Sequence, residues 1–225
     1  VVSALMVTGM LLKTREIYVL KISRIRFDKR MLLSVLCIGI PAGLESVMYN
    51  ISNIVIQVFV NNLGTDTVAA WGTLGKIDAI FWMVINAFAI SITTFVGQNF
   101  GAGKYHRMRK SVSVCMIMSM ISSAVMILLM YGGAPWIYRL FTTDSAVITH
   151  GVHMSRFLLP SYFVYVIIGI LSGALRGTGK VLVPMILTCG GVCSLRILWL
   201  FTAGQMYPGI NTIMLSYPVS WSITA

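Results

Sequence analysis

Glu45 and Asp78 are acids set inside long apolar runs, each with polar or aromatic company at helical spacing. The run from Leu32 to Val60 also holds Ser46, Tyr49, Asn50, Asn53 and Gln57. At about 100° per residue in a helix, Ser46, Asn50, Asn53 and Gln57 fall within about 60° of one another. Glu45 stands about 100° round from Ser46, with Tyr49 between it and that stripe. So many hydrogen-bonding groups are disfavoured against lipid, so the stripe must face protein or a water-filled cavity. A carboxylate at mid-membrane costs about 2.5–3.5 kcal/mol or more. A group able to take up and release a proton there is what a proton-coupled transporter needs. The competing reading is a hydrogen-bonded acid that only anchors helices. Pro41, four residues before Glu45, removes a helix hydrogen bond and loosens the backbone beside it.

The second acid, Asp78, shares a helix face with Trp71, Leu74 and Trp82. Charge and cation–π attraction together suit such a face to an organic cation. Lys76 lies about 200° away from Asp78, so the two do not pair along the helix; it would instead partner an acid elsewhere or snorkel outward. Asn86, Ser91, Thr93 and Thr94 continue the polar content of this span. Arg196, in LRILWLF, reads as a buried polar anchor, and Arg176 and Lys180 flank the RGTGK turn. His150 and His153, spaced i, i+3, give only two donors, and Cys189 and Cys193 have no His or carboxylate nearby. Neither pair completes a metal site. No metal and no cofactor are expected.

These residues need helices that cross a membrane. Of the 225 residues 57% are hydrophobic and 10% charged, against about 25% charged in an average soluble domain. Mean hydropathy is +0.87. Apolar runs long enough to span lie at about 32–61, 68–97, 111–133, 154–175 and 181–203, with shorter ones at 1–12 and 210–225. The net charge of +11 is compatible with nucleic acid, but its placement is not. Seven Lys/Arg lie in residues 13–30 and four in 104–110, both between apolar runs. The connections carry 7, 0, 4, 1, 2 and 0 basic residues in order, the alternation expected of successive crossings with basic loops in the cytoplasm. No nucleic-acid partner is expected. A short amphipathic helix on the outer interface is expected after Thr143, a plausible N-cap. The four cysteines lie in apolar runs and read as small hydrophobes.

The stretch GQNFGAGKYHRMRK could be taken for a phosphate cradle. The Walker pattern fails, because Gln98 stands at the first glycine position and Tyr105 follows the lysine. A dinucleotide fingerprint fails at His106. Gly97, Gln98, Asn99, Gly101, Gly103 and Lys104 therefore read as a tight cytoplasmic turn held near anionic headgroups. Gly169, Gly173 and Gly177 form a ladder that lets helix backbones approach closely.

GIPAGLESVMYN, QVFVNNLGTDTVAAW, TFVGQNFGAGKYHRMRK, GALRGTGKVLVP and YPVSW, in this order and spacing, resemble the C-terminal half of the multidrug and toxic compound extrusion transporters. The outer segment RLFTTDSAV resembles the family's short helix between the ninth and tenth spans. The resemblance implies an all-α polytopic membrane protein, here a six-helix lobe (about the seventh to twelfth spans) of a twelve-helix transporter. Residues 1–12 would end the preceding helix, 13–31 would be the basic inter-lobe linker, and 32–225 the lobe. The chain is expected to be a piece cut at both ends that needs the N-terminal lobe of the same polypeptide. It implies export of cationic, amphipathic drugs across the bacterial plasma membrane, in exchange for H+ or Na+. Glu45 falls at the carboxylate position after the GIP motif; in other branches that acid lies one turn later, where Tyr49 stands. The tenth span, Met154–Leu175, lacks the acid that some members use there. Candidate ion-coupling and substrate residues are Glu45, Asp78, Tyr49, Asn50, Asn53, Gln57, Trp82 and Asn86. The partners expected are an organic cation or drug-like compound and membrane lipid.

The main alternative is a related flippase for lipid-linked or other polar substrates, which needs a strongly cationic cavity. An intramembrane enzyme needs a second acid or a Ser/His pair at depth, and Asp78 is the only Asp within any span. A scaffold role leaves the polar stripe unexplained.

Overall fold

The computed structural model describes residues 2–14, 19, 21 and 26–225, so residues 15–18, 20 and 22–25 of the expected 13–31 linker lie outside the described residues. The chain divides into two units, Val1–Gly39 and Ile40–Ala225. In the first, α1 (Val2–Lys13) is apolar and buries no residue. Helix α2 (Lys29–Asn61) starts where Asp28 Oδ1 accepts from the N–H groups of Arg30 (2.8 Å) and Met31 (3.2 Å), satisfying donors a helix start leaves free. It runs on into the second unit, carrying buried Pro41 within it.

In the second unit follow α3 (Thr65–Gly101), α4 (Tyr105–Arg139), α5 (Ser145–Leu158), α6 (Tyr162–Gly177), α7 (Leu182–Leu187), α8 (Leu195–Met206) and α9 (Ile210–Thr224). Among the described residues, five helical stretches are long and apolar enough to cross a membrane, and the chain is a multi-pass helical membrane protein. Helix α4 starts earlier than hydropathy alone indicates, because the polar turns at His106–Lys110 are also helical.

The expected interfacial helix is not a separate element. Asp144, not Thr143, caps α5, its Oδ1 accepting from Ala146 N (2.8 Å) and Val147 N (3.5 Å). A single 3₁₀ turn, Leu159–Ser161, joins α5 to α6, so Ser145–Gly177 forms one membrane-length stretch. The apolar face that looked suited to headgroups instead meets protein: Val147, Gly151, Met154 and Leu158 are buried. Gly151 is required there, because any side chain would overlap the Tyr138 ring.

Lipid tails are as apolar as leucine, so close packing rather than hydrophobic drive holds such helices together. Helices α3 and α6 show how. Ile85 meets Gly169, Ala89 meets Gly173 and Thr93 meets Gly177, each pair 84 residues apart, the separation of Asp78 and Tyr162. The helices thus run parallel and in register along their length. Thr93 Oγ1 donates to Gly173 O at 2.8 Å.

Both helices end in the same way. After α3, Gly103 has φ 70°; its N–H donates to Phe100 O and the Lys104 N–H to Asn99 O (3.0 and 2.8 Å). After α6, Gly179 has φ 83°; its N–H donates to Arg176 O and the Lys180 N–H to Leu175 O (2.9 and 3.2 Å). This is the Schellman arrangement, which needs a left-handed residue and so favours glycine. The glycine-rich stretch beginning at Gly97 is thus a helix end, a three-residue turn and a helix start. Between α7 and α8, residues Thr188–Ser194 form a π-helical segment, a feature that often marks functional sites in membrane-length helices.

Candidate functional site

Helices α2, α3, α5, α6 and α9 enclose a cavity of about 420 Å³. Among the described residues, Asp78 is the only charged one in its wall. From α3 come Trp71, Leu74, Asp78, Trp82 and Asn86, and from α2 come Tyr49, Asn53 and Gln57. Tyr162, Tyr165 and Tyr217 complete an aromatic wall. The rings touch one another: Trp82 lies 5.1 Å from Tyr162 and 4.8 Å from Tyr165 between centroids, and Trp71 lies 6.1 Å from Tyr217.

Asp78 is 8% exposed. The Tyr162 hydroxyl donates to its Oδ2, while Oδ1 has no hydrogen-bond partner. The in-register packing of α3 on α6 sets this contact, one face of each helix carrying both the small-residue ladder and the polar pair. One carboxylate oxygen is left in an aromatic chamber, an arrangement suited to a cation.

The polar stripe of α2 divides. Asn53 and Gln57 line the cavity, and Gln57 Nε2 also donates to Asn61 Oδ1 at 2.8 Å. Ser46 and Asn50, on the same face, are exposed and are not among the residues lining the cavity; Asn50 Nδ2 donates to Ser46 O at 2.8 Å.

Glu45 lies in a separate, smaller cavity of about 50 Å³. There Arg176 Nη2 donates to Glu45 Oε1 at 2.6 Å and to Oε2 at 2.8 Å. The side chains are 13% (Glu45) and 33% (Arg176) exposed. The flanking arginine of the RGTGK turn is thus the counter-ion of the proline-helix acid, and Lys76 is exposed. Asn86 and Tyr165 line both cavities and separate the two acids.

Arg196 follows directly on the π-helical segment and is fully buried. Its guanidinium lies 4.0 Å from the Tyr217 ring, 5.8 Å from Trp221 and 5.9 Å from Tyr49. None of its three guanidinium nitrogens has a hydrogen-bond partner. Tyr49 and Tyr217 also line the large cavity, so the arginine sits one ring behind its wall.

Asn99 is buried and donates to Phe95 O at 2.8 Å, and Gly97 lies against Gly177 O. His153 Nε2 contacts Asn211 Oδ1 at 2.7 Å, not His150. Residue spacing alone did not point to Tyr162, Tyr165, Tyr217 or Arg176 as site residues. The available signal is a hydroxyl-bearing ring repeated at i, i+3, Tyr162 and Tyr165, in the apolar run YFVYVIIGIL.

An aromatic cavity holding a single acid thus lies between helices that are long and apolar enough to cross a membrane. The chain belongs to the MatE family, whose model matches residues 41–202. It is similar to the probable multidrug resistance protein YoeA of Bacillus subtilis, 23% identical over 89% of this chain and 43% of that protein. It is also similar to an FAD transporter of Shewanella oneidensis, 24% identical over 80% of this chain and 40% of that protein. The fold matches an outward-facing multidrug resistance MATE family transporter of the MOP superfamily with TM-score 0.89, at 16% identity over 100% of this chain and 51% of that one. The chain spans about half the length, or less, of these relatives.

Proposed function

We propose that the chain is one lobe of a secondary exporter in the plasma membrane, moving cationic, amphipathic organic compounds out of the cell in exchange for H+ or Na+. The observation that carries this is Asp78: one acid, with one oxygen unpartnered, in an aromatic cavity within the membrane. A cation entering there meets charge and ring faces together and displaces little hydrogen bonding. Proton or Na+ binding at the same carboxylate removes that attraction, so ion entry and cargo release are alternatives at one group. The name of the YoeA relative supports a drug-like cargo. Because the relatives are about twice as long, the working unit is proposed to include a second lobe facing this one.

The test is transport of a cationic dye by the full-length protein in proteoliposomes under imposed pH or Na+ gradients. Efflux should follow one of the gradients, and Asp78→Asn should lower it at least tenfold while the protein still folds. Efflux indifferent to both gradients would sink the antiport claim.

A second reading is favoured by Arg196. An unpartnered guanidinium behind the cavity wall suits an aromatic anion, and the FAD transporter relative carries such a cargo in its name. Competition assays separate the two: a flavin dinucleotide displacing the dye, and losing that ability in Arg196→Met, would favour the anionic cargo.

A further inference from the structure

On the outer side of the helix bundle, away from both acids, α3 and α4 form a groove of about 710 Å³. Its floor is apolar: Ile92 and Phe95 from α3, Val114 and Met118 from α4. Its mouth is basic. Arg107, Lys110 and His106, all exposed, line the end nearest the α3–α4 turn, and no acid lines any part of it. From Arg107 to Met118 the groove follows α4 for about 16 Å. That turn belongs to the connections whose basic excess marks the cytoplasmic side.

We propose that this groove binds one anionic phospholipid of the inner leaflet, its phosphate between Arg107 and Lys110 and one acyl chain along Ile92, Phe95 and Val114. The inference is independent of the cargo reading. Bulk lipid touches every exposed apolar face of this chain, but selectivity needs charge and groove to coincide. Here the cations stand where a headgroup sits when its tail lies in the groove. Lys and Arg side chains attract anionic headgroups within a Debye length. Charge complementarity therefore names a phospholipid with net negative charge rather than a zwitterionic one. A free anion would use the cations but have no use for the apolar floor.

The experiment is native mass spectrometry of the full-length protein in detergent, titrated with phosphatidylglycerol or phosphatidylcholine of the same acyl chains. Phosphatidylglycerol should bind about tenfold more tightly at one site. The double variant R107Q/K110Q should lose that preference and leave phosphatidylcholine binding unchanged. Lys104→Gln removes one charge from the turn but none from the groove and should retain the preference. Val114→Trp fills the floor with the charges intact and should also weaken phosphatidylglycerol binding. Millimolar inorganic phosphate should fail to compete. Equal binding of the two lipids, a preference surviving R107Q/K110Q, competition by phosphate, or no effect of Val114→Trp would each overturn the proposal. The last result would also mean that another protein segment covers the groove.

Discussion

Two arginines in this half meet very different environments. Arg176 has a carboxylate within 2.6 Å, whereas Arg196 has three aromatic rings and no hydrogen-bond acceptor. Removing one partner of a half-buried ion pair leaves the other desolvated, so Arg176→Gln should destabilise the protein by about 1–2 kcal/mol. Adding Glu45→Gln should recover part of that loss. Detergent-solubilised melts of the two single variants and the double would show it, and strictly additive losses would mean the pair is not coupled. For Arg196 the balance runs the other way. Cation–π contacts give back about 2 kcal/mol, less than the several kcal/mol that burying an ion costs. Arg196→Met should therefore melt at the same temperature or higher, and a drop of several degrees would show a hydrogen-bond partner in the native membrane. Sequence alone makes Glu45 conspicuous, because an acid after a helix proline in an apolar run is rare. Its partner lies 131 residues away, and no local pattern encodes that distance. The tyrosines around Asp78 stay hidden for another reason: in a hydropathy profile, a ring with one hydroxyl looks apolar.

At the scale of elements, the contact between α3 and α6 is built from backbone. A β-carbon on Gly173 would come 2.8 Å from Ala89 O, and one on Gly177 would come 2.6 Å from Thr93 O. Neither neighbour is a flexible side chain, so the helices themselves would have to part. Gly177→Ala should cost about 1–3 kcal/mol, while Gly101→Ala, with open space around it, should be nearly silent. Thermal denaturation of the two variants side by side tests this, and equal melting temperatures would rule out the close-packing account. The glycine ladder is readable in the sequence as a packing surface, but which helix it packs against is not. Helix α5 departs from the interfacial expectation for a related reason. An apolar stripe has the same periodicity whether it faces headgroups or another helix, and only the burial of Val147 and Met154 decides.

Across the whole molecule, the alternating charge of the connections predicts which turns share a side of the membrane. In a cysteine-free background, Ala102→Cys and Thr178→Cys should react with a membrane-impermeant thiol reagent only from the cytoplasmic side, and Asn62→Cys only from outside. Labelling of Ala102→Cys and Thr178→Cys from opposite sides would contradict both the charge pattern and the parallel run of α3 and α6. The membrane-length spans are legible in the sequence because hydropathy reports on a solvent boundary that spans the whole chain. Cavity shape is a matter of which faces meet, and that information is spread over residues far apart. The constant separation of 84 between facing residues has one more consequence, for how such a chain can change over time. Point replacements can be absorbed one contact at a time. A single-residue insertion or deletion inside α3 between Asp78 and Thr93 would instead turn every later residue by about 100°, breaking the lower ladder contacts together. Length is therefore held more strictly than identity in this part of the chain, and insertions are tolerated only where the count restarts, in the turns.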